Sequence, residues 1–253
     1  MKTLETKKIL MLLVITIVST GLKAQNATEI VKRADDKMRG EKSGFSEMSM
    51  EIVRPTWSRT ITFKSWSKGT ELSLVYIKSP AKDKGQTFLK LNREMWNWNP
   101  QISRMIKLPT SMLSQGWMGS DFTVDDALNQ RSIVVDYTHS ILAEEEIEGE
   151  MCYKILLDPK EDAPVVWGKI YMWISKKYDI NLRTEYYDED DYLVKTELGY
   201  NLKDFNGRYL PATFEIIPAD EEGHKTVVTV SEMKFNIPIE DAFFSQQNMK
   251  RVR

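Results

Sequence analysis

From Phe45 onward apolar and polar residues alternate with a period of two, a pattern that suits extended strands with one packed face. Met48, Met50 and Ile52 alternate with Ser49, Glu51 and Val53; Thr60–Trp66 sets Ile61 and Phe63 against Thr62 and Lys64; Glu71–Lys78 puts Leu72, Leu74 and Tyr76 on one face. The same reading continues through Phe88–Asn92, Glu94–Trp98, Arg104–Leu108, Ile133–Leu142, Cys152–Leu157, Val165–Ser175, Asn181–Tyr187, Leu193–Leu202, Tyr209–Ile217 and Thr226–Asn236. Turn clusters separate many of these segments: Asn99-Pro100, Glu148-Gly149, Asp188–Asp191, Asn206-Gly207 and Glu222-Gly223. Asn206-Gly207 is the strongest hairpin signal, because both positions tolerate the positive φ that a tight turn demands. About a dozen short strands without a Pro/Gly linker predict one domain, a curved antiparallel sheet or open barrel.

The start of the chain has a different character. Lys2, Lys7 and Lys8 precede the apolar run Ile9–Val18, about half the roughly 20 residues that a membrane-spanning helix needs. The pattern reads as a secretory signal over residues 1–24, removed after Ala24 to leave Gln25 first and a single domain over 25–253. No Cys follows the apolar run, so the usual acylation signal of a bacterial lipoprotein is missing. Removal deletes Lys2, Lys7, Lys8, Lys23 and Glu5 and takes the formal net charge from −2 to −5. Such an acidic domain is poorly suited to nucleic acid. Ala27–Met38 then carries Ile30, Val31, Ala34 and Met38 at helical spacing, with Asn26 or Thr28 as cap and Gly40 as stop. Another short helix is expected near Ile239–Met249, packed by Phe243 and Phe244.

One stretch departs from regular strand patterning. Gln86–Asp126 holds Trp96, Trp98, Trp117, Met95, Met105, Met112, Met118, Phe88 and Phe122 among Asn, Pro, Gly and Ser. Rigid indoles beside adaptable thioethers either plug a core or line a greasy site. Within it, Thr110–Asp121 has Gly116 and Gly119 with Met112, Leu113, Trp117, Met118 and, just beyond, Phe122. This reads as a movable lid over a hydrophobic pocket, with Asp121 capping a short helix through Val124–Leu128 and fixing the hinge. The expected cavity residues are the apolar strand positions around it: Met50, Ile52, Phe63, Leu74, Phe88, Trp96, Trp98 and Met105.

Catalytic chemistry has few candidates. His139 and His224 share no metal-ligand spacing, and no Gly-rich phosphate loop is present. Cys152 is the sole cysteine, which excludes an intramolecular disulfide, and its apolar strand suits an inert buried thiol. The carboxylate runs Glu144–Glu146, Asp188–Asp191 and Asp220–Glu222 read as solvated turns. A carbohydrate-processing enzyme would need two carboxylates facing one cleft about 5–9.5 Å apart, and no spacing here provides them. No metal, no cofactor and no enzymatic activity are expected.

Several blocks carry a resemblance: Lys78-Ser79-Pro80-Ala81 with Gly85-Gln86-Thr87-Phe88-Leu89; Met95-Trp96-Asn97-Trp98-Asn99-Pro100 with Arg104 after it; and Met118-Gly119-Ser120-Asp121-Phe122 followed by Asp125-Asp126. Trp173-Ile174-Ser175 and Arg183-Thr184-Glu185-Tyr186-Tyr187-Asp188 add to it. Together these resemble a divergent branch of the outer-membrane lipoprotein-sorting family, the LolA-like and LolB-like periplasmic carriers. The resemblance implies a mainly β, α+β fold: an open, incomplete barrel of about eleven strands whose helices cover the open side. It further implies a soluble periplasmic carrier that moves lipoprotein acyl chains or lipids towards the outer membrane. An inner-membrane transporter and an outer-membrane acceptor would be its partners, with transient membrane contact and a monomeric state. The competing expectation is an accessory envelope protein that docks on an RND-type lipid exporter and carries no cargo.

Overall fold

Every alternating segment becomes a strand, although several ends shift. The computed structural model describes residues 26–39, 42–92, 94–112, 115–124, 133–161, 163, 165 and 167–253. The expected signal, Leu113 and, apart from Val124, the helix expected through Val124–Leu128 lie outside them. The strands are β1 (Ser43–Arg54), β2 (Trp57–Lys68), β3 (Leu72–Ser79), β4 (Thr87–Leu91), β5 (Glu94–Asn99), β6 (Arg104–Lys107), β7 (Tyr137–Ile147), β8 (Glu150–Pro159), β9 (Lys169–Ser175), β10 (Asn181–Tyr187), β11 (Leu193–Phe205), β12 (Arg208–Pro218) and β13 (Lys225–Phe235). They form one 13-stranded antiparallel sheet rather than the eleven strands that the resemblance implied. The sheet does not close, because the order β6-β5-β4-β3-β2-β1-β13-β12-β11-β10-β9-β8-β7 leaves β6 and β7 as two separate edges.

That order makes two meandering arms, β1–β6 and β7–β13, joined where β1 pairs with β13. Neighbours in sequence pair in space through short turns. At Asn206-Gly207 both residues have positive φ, +56° and +87°, the geometry that a two-residue hairpin turn requires. The connection after β6, residues 108–136, links one outer edge of the sheet to the other. Both edges are blunted against further pairing: β6 is four residues long with Arg104 and Lys107, and β7 carries Glu144–Glu146 and a register shift between Ile141 and Ala143. This acidic run therefore sits within a strand and not in the turn that was expected. Glu145 accepts the Trp173 indole N–H at 2.6 Å, the chief cause of a carboxyl pKa held below its usual value, and Glu144 pairs with Lys176 at 2.7 Å.

Helix α1 (Ala27–Arg39) covers the C-terminal arm. Ala27, Ile30, Val31 and Ala34 are buried against Tyr137, Ile155, Leu157, Ile170, Met172 and Ile174 of β7–β9. Asn26 accepts the Thr28 N–H at 3.0 Å and caps the helix. On the N-terminal arm the outer face is covered by the end of the chain. Ile239, Phe243, Phe244, Met249 of the short helix α2 (Gln246–Met249) and Val252 pack against Trp66, Leu74, Tyr76, Leu89, Trp96, Trp98 and Met105. Cys152 is fully buried in β8, and burial pushes its thiol pKa up to about 11, so thiolate chemistry at neutral pH is suppressed.

His139 on β7 ties α1 to the sheet. Its Nε2–H donates to Ile133 O at 2.8 Å, which leaves Nδ1 to accept the Thr28 hydroxyl at 3.1 Å. Burial holds the ring pKa below its usual 6.5. The unfolded chain therefore takes up the proton first as pH falls, and the stability present above the unfolded pKa is lost below it. Urea midpoints should decline between about pH 7 and pH 5, and a His139→Gln variant should lose that component of the decline. An unchanged pH profile in His139→Gln would show that the ring does not report the attachment of α1.

Candidate functional site

Cross-strand register turns the sequence alternation into layers on the inner face of the sheet. Ser67, Ser73 and Lys90 lie side by side across β2, β3 and β4. The next layer in runs Ser46, Ser65, Val75 and Phe88 across β1–β4, then Met48 and Phe63, then Met50 and Ile61. Across the seam of the two arms, Met48 faces Val230 and Met50 faces Val228 on β13, and Val228 faces Phe214 on β12. All of these residues except Phe88 and Ile61 line a cavity of about 420 Å³, within the range of about 300–1,000 Å³ typical of ligand pockets. Met38 from the end of α1 and Gly69-Thr70 from the β2–β3 turn border it at one end, and Trp117 and Phe122 border it at the other.

Several contacts hold the floor at Trp117. Trp117 is 3% exposed and meets Phe63 and Phe88 edge-on, with ring centroids 5.3 and 5.5 Å apart. Trp117 N–H donates to Phe122 O at 2.6 Å, Val124 N–H to Gln115 O at 2.9 Å, and the Ser120 hydroxyl to Trp117 O at 2.7 Å. Met118 holds a positive φ of 54°, and a Cβ at Gly116 would lie 2.5 Å from Ser120 O, so this loop admits no side chain there. The loop is fastened to the middle of the sheet by a two-pronged ion pair. Arg54 Nη2 donates to Asp121 Oδ1 at 2.9 Å and Nη1 to Asp121 Oδ2 at 3.1 Å, with the two side chains 12% and 8% exposed. The Thr226 hydroxyl donates to Asp121 Oδ2 at 2.6 Å, Arg54 Nη2 donates to Gly119 O at 3.1 Å, and Arg59 donates to Met118 O. The Asp121 carboxylate, expected to cap a helix, is thus occupied by Arg54 and Thr226.

The expected site residues divide between the two faces. Met50 and Phe63 line the cavity, and Ile52 and Phe88 belong to the same buried cluster together with Trp117. Leu74, Trp96, Trp98 and Met105 lie instead in the cluster under the C-terminal segment. Of the lid residues, Trp117 and Phe122 border the cavity, Met118 packs against the inner cluster, and Met112 lines a smaller neighbouring recess with Arg59 and Asp83. Sequence reasoning missed Met48, Val75, Phe214, Val228 and Val230, although Met48 shares the alternation of Met50 and Ile52. It also missed the polar members of the wall, Ser65, Ser67, Ser73 and Lys90, because a polar strand residue carries no local sign of facing a cavity. On the C-terminal arm Glu197 borders the cavity and accepts the Tyr186 hydroxyl at 2.8 Å.

A walled, mostly apolar cavity with one polar rim can hold the apolar part of an amphiphile. Among the described residues no group of three or more His, Cys, Asp or Glu could hold a metal ion, and no helix is long and apolar enough to cross a membrane. Solved structures share the architecture. A DUF1329 family protein from Desulfovibrio piger superposes with a TM-score of 0.79 at 24% identity, covering 88% of this chain and 97% of its own. A domain from Vibrio parahaemolyticus assigned to outer membrane lipoprotein sorting gives 0.78 at 21%, covering 89% and 98%. A LolA superfamily protein from Nitrosomonas europaea gives 0.75 at 25%, covering 89% and 100%. No curated protein matches the chain. A family model described as "uncharacterized protein" matches residues 69–251, well over half of the chain. The chain belongs to that family, a divergent LolA-like one.

Proposed function

We propose that this protein is a periplasmic carrier that shelters an acyl chain in the inner cavity while the chain crosses water on its way to the outer membrane. The observation that carries the reading is the cavity itself, lined by Met48, Met50, Phe63, Val75, Val228 and Val230 inside an unclosed sheet. A bound methylene leaves water with a gain of about 0.8 kcal/mol, so a long chain needs such a shelter to travel. The cavity volume of about 420 Å³ is that of a ligand pocket. Methionine walls suit loading and release, because they repack as the chain comes and goes. An inner-membrane transporter would load the carrier and an outer-membrane acceptor would unload it. The lid expected over Thr110–Asp121 is proposed in a narrower form: Trp117 and Phe122 act as a floor whose side chains shift, while Arg54 keeps the backbone in place. A docking role at an envelope exporter is favoured by the exposed Ile141, Leu142 and Met151 beside the β7 edge, and it is compatible with carriage.

Two measurements bear on this reading. A fluorescent fatty acid should bind the delipidated protein, and Ser65→Trp should weaken that binding at least about tenfold by filling the cavity with an indole, while unfolding stays cooperative. Equal binding by the Trp variant would place the ligand elsewhere, and native mass spectrometry of protein from its own envelope should show bound lipid. The floor makes a separate claim. Asp121→Ala should cost about 3–5 kcal/mol, since it strands a buried guanidinium, whereas the double variant Arg54→Met/Asp121→Leu should cost less than either single change implies. Additive losses in urea unfolding would show that the pair is not coupled.

A further inference from the structure

A second recess lies on the N-terminal arm, beside the floor loop. Arg59 of β2, Asp83 and Gln86 of the connection between β3 and β4, Asn97 of β5, and Gln115 and Trp117 of the loop border a space of about 400 Å³. Of these six only Trp117 also lines the inner cavity. Three of them hold a polar atom that is sealed from solvent and has no hydrogen-bond partner: Arg59 Nε, Asp83 Oδ2 and Trp117 Nε1. Six side-chain atoms among the described residues are in that condition, so half of them gather around this one recess, which marks the recess and not a scatter of packing faults. The rest of each side chain is held in place. Arg59 Nη2 donates to Met118 O, Asp83 Oδ1 accepts the Gln86 amide N–H at 3.1 Å, and the Trp117 ring lies edge-on to Phe63 and Phe88. Neither Arg59 nor Asp83 has an ion-pair partner among the described residues, and they do not pair with each other.

A guanidinium and a carboxylate that border one space without pairing each lose hydration that nothing in the fold replaces. A plain anion would complete Arg59 and the indole N–H but would be repelled by Asp83. A plain cation would do the reverse, and an apolar group would complete none of the three. We infer that the recess binds a zwitterionic group, with its ammonium on Asp83 Oδ2 and its phosphate or carboxylate oxygen shared by Arg59 Nε and Trp117 Nε1. Arg59 and Asp83 are only half-buried as whole residues, so small side-chain rotations turn their inner atoms towards such a ligand. Hydrogen bonds to an ionised partner are worth roughly twice neutral ones, and the amides of Gln86, Asn97 and Gln115 add neutral bonds without adding a charge. A free zwitterion and the head of a phospholipid share this chemistry. The site lies outside the inner cavity and stands whether or not that cavity carries a chain.

The test uses small probes that carry one sign or both. At about pH 7 an alkyl amine is protonated and a phosphate ester carries most of its second charge. Calorimetry on the wild-type protein compares phosphoethanolamine with ethyl phosphate, which lacks the ammonium, and with ethanolamine, which lacks the phosphate; β-alanine is set against propionate in the same way. In at least one series the zwitterion should bind at least about tenfold more tightly than its singly charged counterparts. It should also move the assigned indole N–H resonance of Trp117. Asp83→Asn, which keeps an acceptor for Gln86, should bring the zwitterion down to the affinity of the matching anion. Lysophosphatidylethanolamine that gains at least tenfold over phosphoethanolamine, and loses its advantage in Asp83→Asn, identifies a lipid head; any other result with that probe identifies a free zwitterion. No preference for the zwitterion in either wild-type series would overturn the inference and leave water alone to complete these groups, and this comparison needs no variant to fold. A Trp117 resonance unmoved at saturation, or a preference that persists in Asp83→Asn, would overturn it as well. None of these results touches the carrier reading, which fails on the fatty-acid measurement instead.

Discussion

The fork between Arg54 and Asp121 is the contact on which the interior depends. Arg54 ends β1 and Thr226 is the second residue of β13, so the carboxylate of Asp121 is gripped at the seam of the two arms. The grip lets the loop keep its unfavourable features: the positive φ of Met118, the tight approach at Gly116, and an indole driven between Phe63 and Phe88. An ion pair that is about nine-tenths buried adds little net stability over a well-packed apolar pair, because both charges have left water. Its value here is positional. An apolar contact at the same place would let the loop slide, and Trp117 would then intrude on the space above it or withdraw from it.

Above that floor, affinity and release oppose each other. An apolar wall alone would retain a long chain for as long as its methylenes stayed out of water. Serines replace apolar residues in two successive layers of the wall, so the apolar contact on offer thins from Met48 and Phe63 towards Ser67 and Ser73. Methionine provides the complementary property at depth, filling the space with several conformers of similar energy. A carrier needs this intermediate grip, firm against dilution yet weak enough to pass its load onward.

The architecture was legible because strand period and turn chemistry are local properties. Asn206-Gly207, the capped helix at Asn26 and the thirteen alternating segments all declare themselves within a few residues. The face that each strand turns inward is a different kind of information. In β3 the four consecutive residues Leu74, Val75, Tyr76 and Ile77 are buried, so both faces are covered and alternation cannot tell them apart. Leu74, Trp96, Trp98 and Met105 satisfied every local criterion for the cavity, yet they lie under Phe243, Phe244 and Met249. The signal for this was distant: an aromatic C-terminal segment that needed a surface to cover. Ser67, Ser73 and Lys90 escaped for the opposite reason. A polar residue in a strand reads as solvent-facing until the register shows what it faces.

The connection from β6 to β7 is one covalent piece that begins at one free edge of the sheet and ends at the other, with its Asp121 anchored at the seam between them. The path of the chain thus touches the seam between the arms before it reaches the second edge, so a change at Arg54 or Thr226 bears at once on the order of the cavity floor and on the junction of β1 with β13.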